Sequence, residues 1–373
     1  MSTDIFVIGG GPAGLAAAIA TRRRGFNVTV ADAIIPPADK ACGEGLMPDT
    51  LAALSTLGVS ISAADSFPFR GIRFLDRGKA VAASFPVGCG RGVRRTTLHR
   101  MMIEKAEAVG VKLRWGAHVD FDALRCSWII AADGESSLAR KWAGLDARLR
   151  DRCRFGFRRH YRIEPWTDCM EVHWGRTCQV YVTPVTTDSV CAAAISRDSQ
   201  LRLDDALRQL PDLARRLKPG AIISTERGAV TSSRKPKAVY RGRIALVGDA
   251  SGSVDAITGQ GLCLAFRQAT ALAEAIECGD LAQYQRTHRQ IARRAEWMAR
   301  LLLTLGDRAQ VRRAAMCAMA AHPKIFAKML AAHVGAFYEI NHSDPSDGDY
   351  GAIWAGEGAR TEPGPDARRV HAE

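Results

Sequence analysis

The sequence predicts an α/β fold: a parallel sheet opened by a strand–turn–helix–strand unit, an antiparallel sheet inserted into it, and helices at the C-terminal end. Three observations carry this expectation. Residues 4-DIFVIGG, GPAGLAAAIATRRRG and 26-FNVTVAD read as strand, glycine turn with helix, and strand. The runs 127-SWIIAADG and 243-RIALVGDA are short apolar strands ending in turns, the pattern of strands buried on both faces. Between them, 171-EVHW, 178-CQVYVTP and 189-SVCAAAI are β-rich and alternating, as in an antiparallel sheet.

Taken in order, the first unit fills residues 4–32. Over 93–114, Leu98, Met101, Met102 and Ala106 recur at helical spacing before a strand, a second αβ step. The reading divides the chain into a first domain over 1–153, which lends 60–90 to the second; an inserted β-rich domain over 154–237; and a returning segment of the first over 238–280. A helical region follows over 281–340, basic, rich in Ala, Leu and Met and broken by Pro323. The stretch 341–373, rich in Gly, Pro, Asp and Glu, reads as a disordered tail. No internal repeat is visible.

The 373 residues suffice for two substructures, since single cores stop growing at roughly 250–300 residues. With 47% hydrophobic and 24% charged residues, the composition is that of a soluble globular protein. The net charge of +13 favours anionic ligands or an acidic surface. Its arginines are spread along the whole chain, which fits a solvated surface and no nucleic acid. The ten cysteines include no C-x-x-C pair and no Cys/His cluster at zinc spacing, so no metal is expected. The first apolar run, Ile5–Ile8, is too short for a signal peptide, and nothing later reaches the ~18 apolar residues of a spanning helix. A cytoplasmic location with reduced thiols is the expectation.

The motif 9-GGGPAG-14 is a G-x-G-x-x-G between strand and helix. Gly9 suits the tight turn, Gly11 admits a pyrophosphate to the backbone, and Gly14 lets helix and strand pack closely. The helix N-terminus adds amides and a positive dipole end. Ala18 and Gly25 continue the pattern along the same helix. Asp32 ends the second strand, where a carboxylate can take ribose hydroxyls. A chance glycine turn would lack that context, but flavin and nicotinamide dinucleotides share the fingerprint.

Two further motifs narrow it: Asp133 and Gly134 in 131-AADGESSLAR, and Gly248 and Asp249 in 244-IALVGDASGSVDAITGQG. With these the chain resembles the glutathione-reductase-type FAD proteins of the p-hydroxybenzoate hydroxylase and geranylgeranyl reductase superfamily, over residues 4 to about 275. That family carries the glycine motif, a mid-chain "ADG..S..R" and a late "GDA....P..GqG" in this order. The resemblance implies a Rossmann-like FAD-binding domain with an inserted antiparallel β-sheet substrate domain. It places Asp249 at the ribityl and pyrophosphate region, and Gly259, Gln260 and Gly261 at the turn whose amides face the pyrimidine edge of the flavin. Arg95, in 95-RTTL, falls along the cofactor, and Asp133 at a position linked to FAD and pyridine nucleotide. A helix N-terminus at that edge would stabilise charge on the reduced ring. With no second G-x-G-x-x-G after a strand, the electron donor is either transiently docked NAD(P)H or a separate reductase.

The reaction turns on 40-KACGEGLMP. A disulfide reductase needs a partner cysteine about five positions after Cys42, and position 47 is Met. Cys42 is then a small residue in a flavin-facing turn, with a lesser claim to direct catalysis. The segments 42-CGEGL and 255-DAITGQG resemble geranylgeranyl reductases, but of that family's Y-x-W-x-F-P only the proline survives in 179-QVYVTP, and the W-x-W-x-I-P of flavin halogenases fits no better.

The leading expectation is an FAD-dependent monooxygenase hydroxylating an aromatic or lipophilic secondary metabolite through a flavin C4a-hydroperoxide. Period two sets Gln179, Tyr181 and Thr183 on one face as substrate-side candidates, Tyr181 first. His160, Tyr161 and His173 are weaker acid/base candidates, since strand histidines are commonly structural. The alternatives are a reductase saturating isoprenoid double bonds and a flavin-binding partner protein without turnover. The basic helix 284-YQRTHRQIARRAEWMARLLLTL is either packed on the flavin domain or a surface for a membrane or carrier-bound substrate.

Overall fold

The computed structural model describes residues 3–146 and 149–335. Strand β1 (Ile5–Ile8), helix α1 (Pro12–Arg22) and strand β2 (Val28–Asp32) open the chain. Helix α1 ends at Arg22, so Gly25, at φ +92°, lies beyond it and turns the chain into β2. Next come β3 (Gly45–Leu46), α2 (Pro48–Thr56), β4 (Phe67–Phe69), β5 (Gly71–Asp76), β6 (Lys79–Ser84) and β7 (Gly90–Gly92). Helix α3 (Arg95–Ala108), β8 (Lys112–Trp115), β9 (Trp128–Ala131) and α4 (Leu138–Trp142) follow. The long strands are β10 (Leu149–Arg162), β11 (Cys169–Trp174), β12 (Cys178–Thr186) and β13 (Ser189–Ser196). After α5 (Leu203–Arg208), α6 (Pro211–Leu217), β14 (Ala221–Ile222) and β15 (Arg227–Arg234), the hairpin β16 (Tyr240–Arg241) and β17 (Ile244–Leu246) returns the chain to the first sheet. Helices α7 (Gly261–Glu277), α8 (Leu281–Asp307), α9 (Ala309–Ala321) and α10 (Pro323–Val334) complete the described chain.

The first sheet has the order β16-β17-β9-β1-β2-β8 and is parallel from β17 to β8. Its strands are apolar on both faces because helices cover it: Leu15 and Ile19 of α1, Leu98 and Met102 of α3, and Phe266 and Leu272 of α7 share one core with Ile5, Val7, Val30 and Ile130. The second sheet has the order β14-β10-β13-β12-β11-β5-β6, with β15 on β10. Thus residues 71–84 join strands that lie far along the chain.

Side-chain alternation splits this sheet cleanly. Val180 and Val182 of β12 face Leu203, Leu207 and Leu213 of α5 and α6, while Tyr181 faces Met298 and Leu302 of α8 and Phe326 of α10. Pro323 is the first residue of α10, where its missing N–H costs nothing. A buried pair, Arg312 Nε to Asp76 Oδ2 at 2.9 Å, ties α9 to β5. The C-terminal helices therefore cover the sheet face that carries the odd-numbered residues of β12. Among the described residues, no helix is long and apolar enough to cross a membrane. The expected tail, 341–373, lies outside the described residues.

Candidate cofactor and substrate site

The glycine turn after β1 is built by steric necessity. Gly9 has φ +105°, and a Cβ there would sit 2.5 Å from the Ala132 carbonyl oxygen; one on Gly14 would sit 1.9 Å from that of Gly9. At Gly11, Gly43 and Gly261, by contrast, a Cβ meets nothing within 4 Å and φ is not in the left-handed region. Nothing in the fold of the chain itself requires glycine there. The space in front of these three backbones fits a ligand that must come close to them, and Gly11 caps α1 while Gly261 opens α7, so both present free amides.

Asp32 holds the turn. Its Oδ2 accepts from Gly10 N at 2.6 Å and its Oδ1 from Ile34 N at 2.8 Å. His99 of α3 closes the other side: Nε2 donates to the Gly10 carbonyl at 2.8 Å while Nδ1 accepts from Ala38 N at 3.3 Å. That pairing requires the neutral ring, and burial lowers its pKa accordingly. Arg95 is the first residue of α3, and its Nε is buried with no hydrogen-bond partner among the described residues. An orphaned guanidinium N–H one helical turn before His99, which bonds the glycine turn, suits an anionic ligand such as a diphosphate.

Asp249, in the turn Gly248–Ser251, is half-exposed and pairs with Lys40 Nζ at 3.4 Å. Gly248 adopts φ +63°, and its N–H donates to Gln268 Oε1 at 2.9 Å. Asp133 is committed elsewhere: its carboxylate accepts from Ser137 Oγ at 2.5 Å and Ala139 N at 3.0 Å, so it caps α4. Gly134, at φ +80°, faces open space.

The turn before α7 is fixed from all sides. Asp255 Oδ1 accepts from Ile257 N at 3.0 Å, and Gly259 at φ +66° reverses the chain. Gln260 is turned inward, donating from Nε2 to buried Asp49 at 3.2 Å, an acid also held by Arg294 at 3.2 Å.

The opposite wall is the β-sheet. Gln179, Tyr181 and Thr183 do share one face, and each is hydrogen-bonded: Gln179 Oε1 accepts from Arg154 Nη1 at 3.0 Å, Tyr181 Oη donates to the Ile257 carbonyl at 2.9 Å, and Thr183 Oγ1 to that of Gly43 at 2.7 Å. Burial raises the pKa of Tyr181, which makes it a poor acid and a good strut. His173 and Tyr161 point to the other face. His173 bonds Glu171 at 2.9 Å, and Tyr161 packs with Leu203 and Leu213.

His160 points inward, into a cluster the sequence did not reveal. Its Nε2 lies 2.6 Å from Glu44 Oε2, and both residues are buried. Its Nδ1 is approached by Arg94 at 3.1 Å, Arg158 at 3.2 Å and Ser224 Oγ at 2.9 Å. Only an unprotonated Nδ1 accepts from two guanidinium groups, so the ring is neutral with its proton on Nε2, donated to the carboxylate. Arg158 also pairs with Asp39, and Glu44 Oε1 accepts from Arg95 N at 3.0 Å. Glu44, His160 and Cys191 bring ligand atoms within 4.8 Å of one another. The two arginines beside them make the cluster an ion-pair network and a poor seat for a divalent cation.

Cys42 is half-buried, and its Sγ accepts from Glu44 N at 3.4 Å. Cys191 lies near it in space, donating to the Cys42 carbonyl at 3.7 Å. Burial, and then the charge of Glu44, raise the Cys191 thiol well above its ordinary pKa, which suits a packed thiol and not a resolving one. The one available signal for Glu44, an acid between two glycines in 42-CGEGL, was not taken up, and His99, Arg158 and His333 carry no local signal.

Residues 2–123 match the FAD binding domain family. Menaquinone reductase of Mycobacterium tuberculosis is 34% identical over 167 residues, 38% of this chain and 41% of that protein. The chain thus spans about 41% of the length of these curated relatives. A Rhodococcus erythropolis protein assigned by name to 2-heptyl-3-hydroxy-4(1H)-quinolone synthesis, AqdB1, is 25% identical over 358 residues, 86% of this chain and 93% of that one. The crystal structure of p-nitrophenol 4-monooxygenase PnpA from Pseudomonas putida superposes with a TM-score of 0.75 at 18% identity, covering 91% of this chain and 98% of that one. The glycine cradle and the inserted sheet agree with these likenesses: residues 2–123 are similar to the FAD binding domain family, and the fold is the one that PnpA shares.

Proposed function

We propose that the chain is an FAD-dependent oxidoreductase and, more narrowly, a monooxygenase acting on a lipophilic aromatic molecule that carries an oxygen substituent on its ring. The observation that carries the narrower reading is the character of the sheet wall. An isoprenoid reductase needs a long apolar tunnel. Here Arg154, Gln179 and Asp255 are buried as a polar group among Met170, Val172, Trp174 and Tyr181. Trp174 Nε1 is a buried donor without a hydrogen-bond partner among the described residues, and Arg154 Nε, likewise without a hydrogen bond, faces Asp255 Oδ2 at 3.6 Å. Donors set in an apolar wall suit a substrate with one oxygen and a hydrocarbon body.

The quinolone named for AqdB1 has that character, and the likeness extends over nearly the whole of both chains. FAD, when bound, supplies the electron transfer and the activation of oxygen. The chain supplies the rest. Gly11, Gly43 and Gly261 admit the cofactor, Arg95 meets its diphosphate, and the α7 N-terminus faces the ring. Electrons come from NAD(P)H or from a separate reductase.

A second reading, reduction of an isoprenoid double bond, is favoured by the menaquinone reductase likeness and by the 42-CGEGL turn. Reaction of the FAD-loaded protein with a 2-alkyl-4-quinolone, NADPH and ¹⁸O₂ separates the two. One labelled oxygen in the product is the expected result. Anaerobic gain of two hydrogens in the side chain of a prenylated quinone, retained after the ring is reoxidised, with no labelled product from the quinolone, would establish the reductase instead.

A further inference from the structure

Two side chains from distant parts of the fold seize consecutive carbonyls of the turn that opens α7. Tyr181 Oη, from β12, donates to Ile257 O at 2.9 Å, and His333 Nε2, from α10, donates to Thr258 O at 3.0 Å. Both donors are buried, and His333 Nδ1 has no partner among the described residues. A carbonyl requires a proton on the nitrogen it faces, so His333 is the neutral Nε2–H tautomer. Burial, which lowers its pKa to about 4, keeps it so.

The consequence lies one residue on. The 3₁₀ turn 256–258 closes on itself through Thr258 N to Asp255 O and Gly259 N to Ala256 O, and Gly259 then reverses direction. The first intrahelical bond of α7 is Leu264 N to Gln260 O at 3.0 Å. The amides of Gly261, Leu262 and Cys263 therefore have no intrahelical acceptor, and Gly261 faces open space. Their direction is inherited from the turn. A peptide plane is rigid, so a carbonyl held on the protein side cannot swing its negative end toward that space.

The C-terminal helix is itself locked. A Cβ on Gly335, just past α10, would lie 1.7 Å from Arg294 Nη1, so the guanidinium lies against the helix end and reaches Asp49, which in turn holds Gln260. Sheet, C-terminal helix and turn form one unit.

The geometry points to Tyr181 and His333 as positioning residues that aim the free amides of α7 at the reducible ring of FAD and so raise its reduction potential. This rests on the FAD reading above. Neither residue moves a proton in the reaction; each acts through the backbone it holds. Dipoles fixed toward developing charge stabilise it without reorganisation, and that is the quantity a potential reports.

The test is the midpoint potential of FAD bound to the full-length protein, measured against a reference dye. The set comprises the wild type, Tyr181→Phe, His333→Leu, His333→Gln and the double variant Tyr181→Phe/His333→Leu. Tyr284→Phe serves as control, since it loses a comparable buried bond, to Leu246 O at 2.7 Å, away from the turn. Tyr181→Phe and His333→Leu are each expected to disfavour reduction by roughly tenfold, about 30 mV for a two-electron couple. His333→Gln, whose amide can donate from the same place, should stay within about threefold of wild type, as should the control. An unchanged potential in the double variant with stoichiometric FAD would overturn the assignment, as would an equal shift in Tyr284→Phe. Should His333→Leu fail to fold, Tyr181→Phe against Tyr284→Phe decides alone. Wild-type protein that retains no FAD would overturn the cofactor reading itself, a different outcome from a flavin that binds and ignores the turn.

Discussion

The two walls of the site are made of opposite materials. The cradle side is nearly bare backbone: Gly9, Gly11, Gly14 and Gly261, with Asp32 and His99 holding the turn from behind. The sheet side is dense with side chains, and there Arg158 and His160, with Glu44 of the facing turn, are all buried and paired with one another. Backbone is the right material where a large ligand must be met at van der Waals distance along its length. Buried charge is expensive unless fully paired, so its presence opposite means that the turn 42–46 is held at a fixed place against the sheet. The cradle is shaped by what it leaves out, the wall by what it locks together.

The largest effect should come from breaking the wall. Glu44→Leu leaves His160 Nε2 and the amide of Arg95 without their acceptor and leaves Arg158 with Asp39 alone, and loss of one member of a buried pair costs about 3–5 kcal/mol. Urea unfolding of the FAD-free protein measures it. A loss under about 1 kcal/mol would show that the cluster is solvated and the contrast between the walls overstated.

Acid should act next, through histidines behind the cradle. His288, bonded to Ser251 Oγ at 2.8 Å, and His333 are both held neutral by burial, with pKa values lowered from 6.5 to about 4. Between these values the unfolded chain takes up protons that the folded one refuses. Their contribution is intact above pH 6.5 and is lost as pH falls toward 4, on the order of 2–3 kcal/mol for each. Stability measured from pH 7.5 to 4.5 should fall below 6.5, and His288→Gln should flatten the slope. An unchanged slope in that variant would remove His288 from the account.

A pair of substitutions then tests the cradle. A methyl on Gly14 must displace the Gly9 carbonyl, so Gly14→Ala should cost about 1–3 kcal/mol in the absence of FAD. Gly261→Ala meets nothing and replaces glycine within a helix, so it should stabilise the FAD-free protein by about 0.5–1 kcal/mol. It should nonetheless weaken FAD binding, read by flavin fluorescence. If FAD affinity rises along with stability, the open space before Gly261 is not where the cofactor lies.

The same contrast explains what could be read from the chain. The glycine turn 9–14 was legible because its residues are contiguous and Gly9 and Gly14 answer local steric demands. Period two on β12 was enough to place Gln179, Tyr181 and Thr183 together. The function of Tyr181 was not legible, because its hydroxyl is consumed by a carbonyl 76 residues away. Glu44 and His160 stand 116 residues apart, and no spacing rule joins them. Asp133 shows the converse. Its motif suggests the cofactor, whereas its carboxylate is used to cap α4, a demand created by where that helix begins. The basic stretch 284–305, which lies within α8, reads as a packing or membrane element; His333, on α10, carries no reading, and it reaches the turn before α7 only because the helices fold back across the sheet.

The smallest expected effect concerns Cys42, which sits where the two walls meet. Its carbonyl accepts from Cys191 and its thiol from Glu44 N at 3.4 Å, a long contact to a weak acceptor. Glu44 itself stands at φ +58°, an uncommon conformation for a residue with a side chain, and the Cys42 contact is one of several that hold it. Cys42→Ser offers a stronger acceptor in nearly the same place. The change should lie within about 0.5 kcal/mol of wild-type stability, with FAD bound stoichiometrically and turnover retained. Loss of turnover with FAD in place would give the thiol a chemical role and move part of the chemistry from the sheet wall to the turn. Loss of FAD would mean that the turn belongs to the cradle, and that its position depends on a sulfur contact weaker than any other that fixes the site.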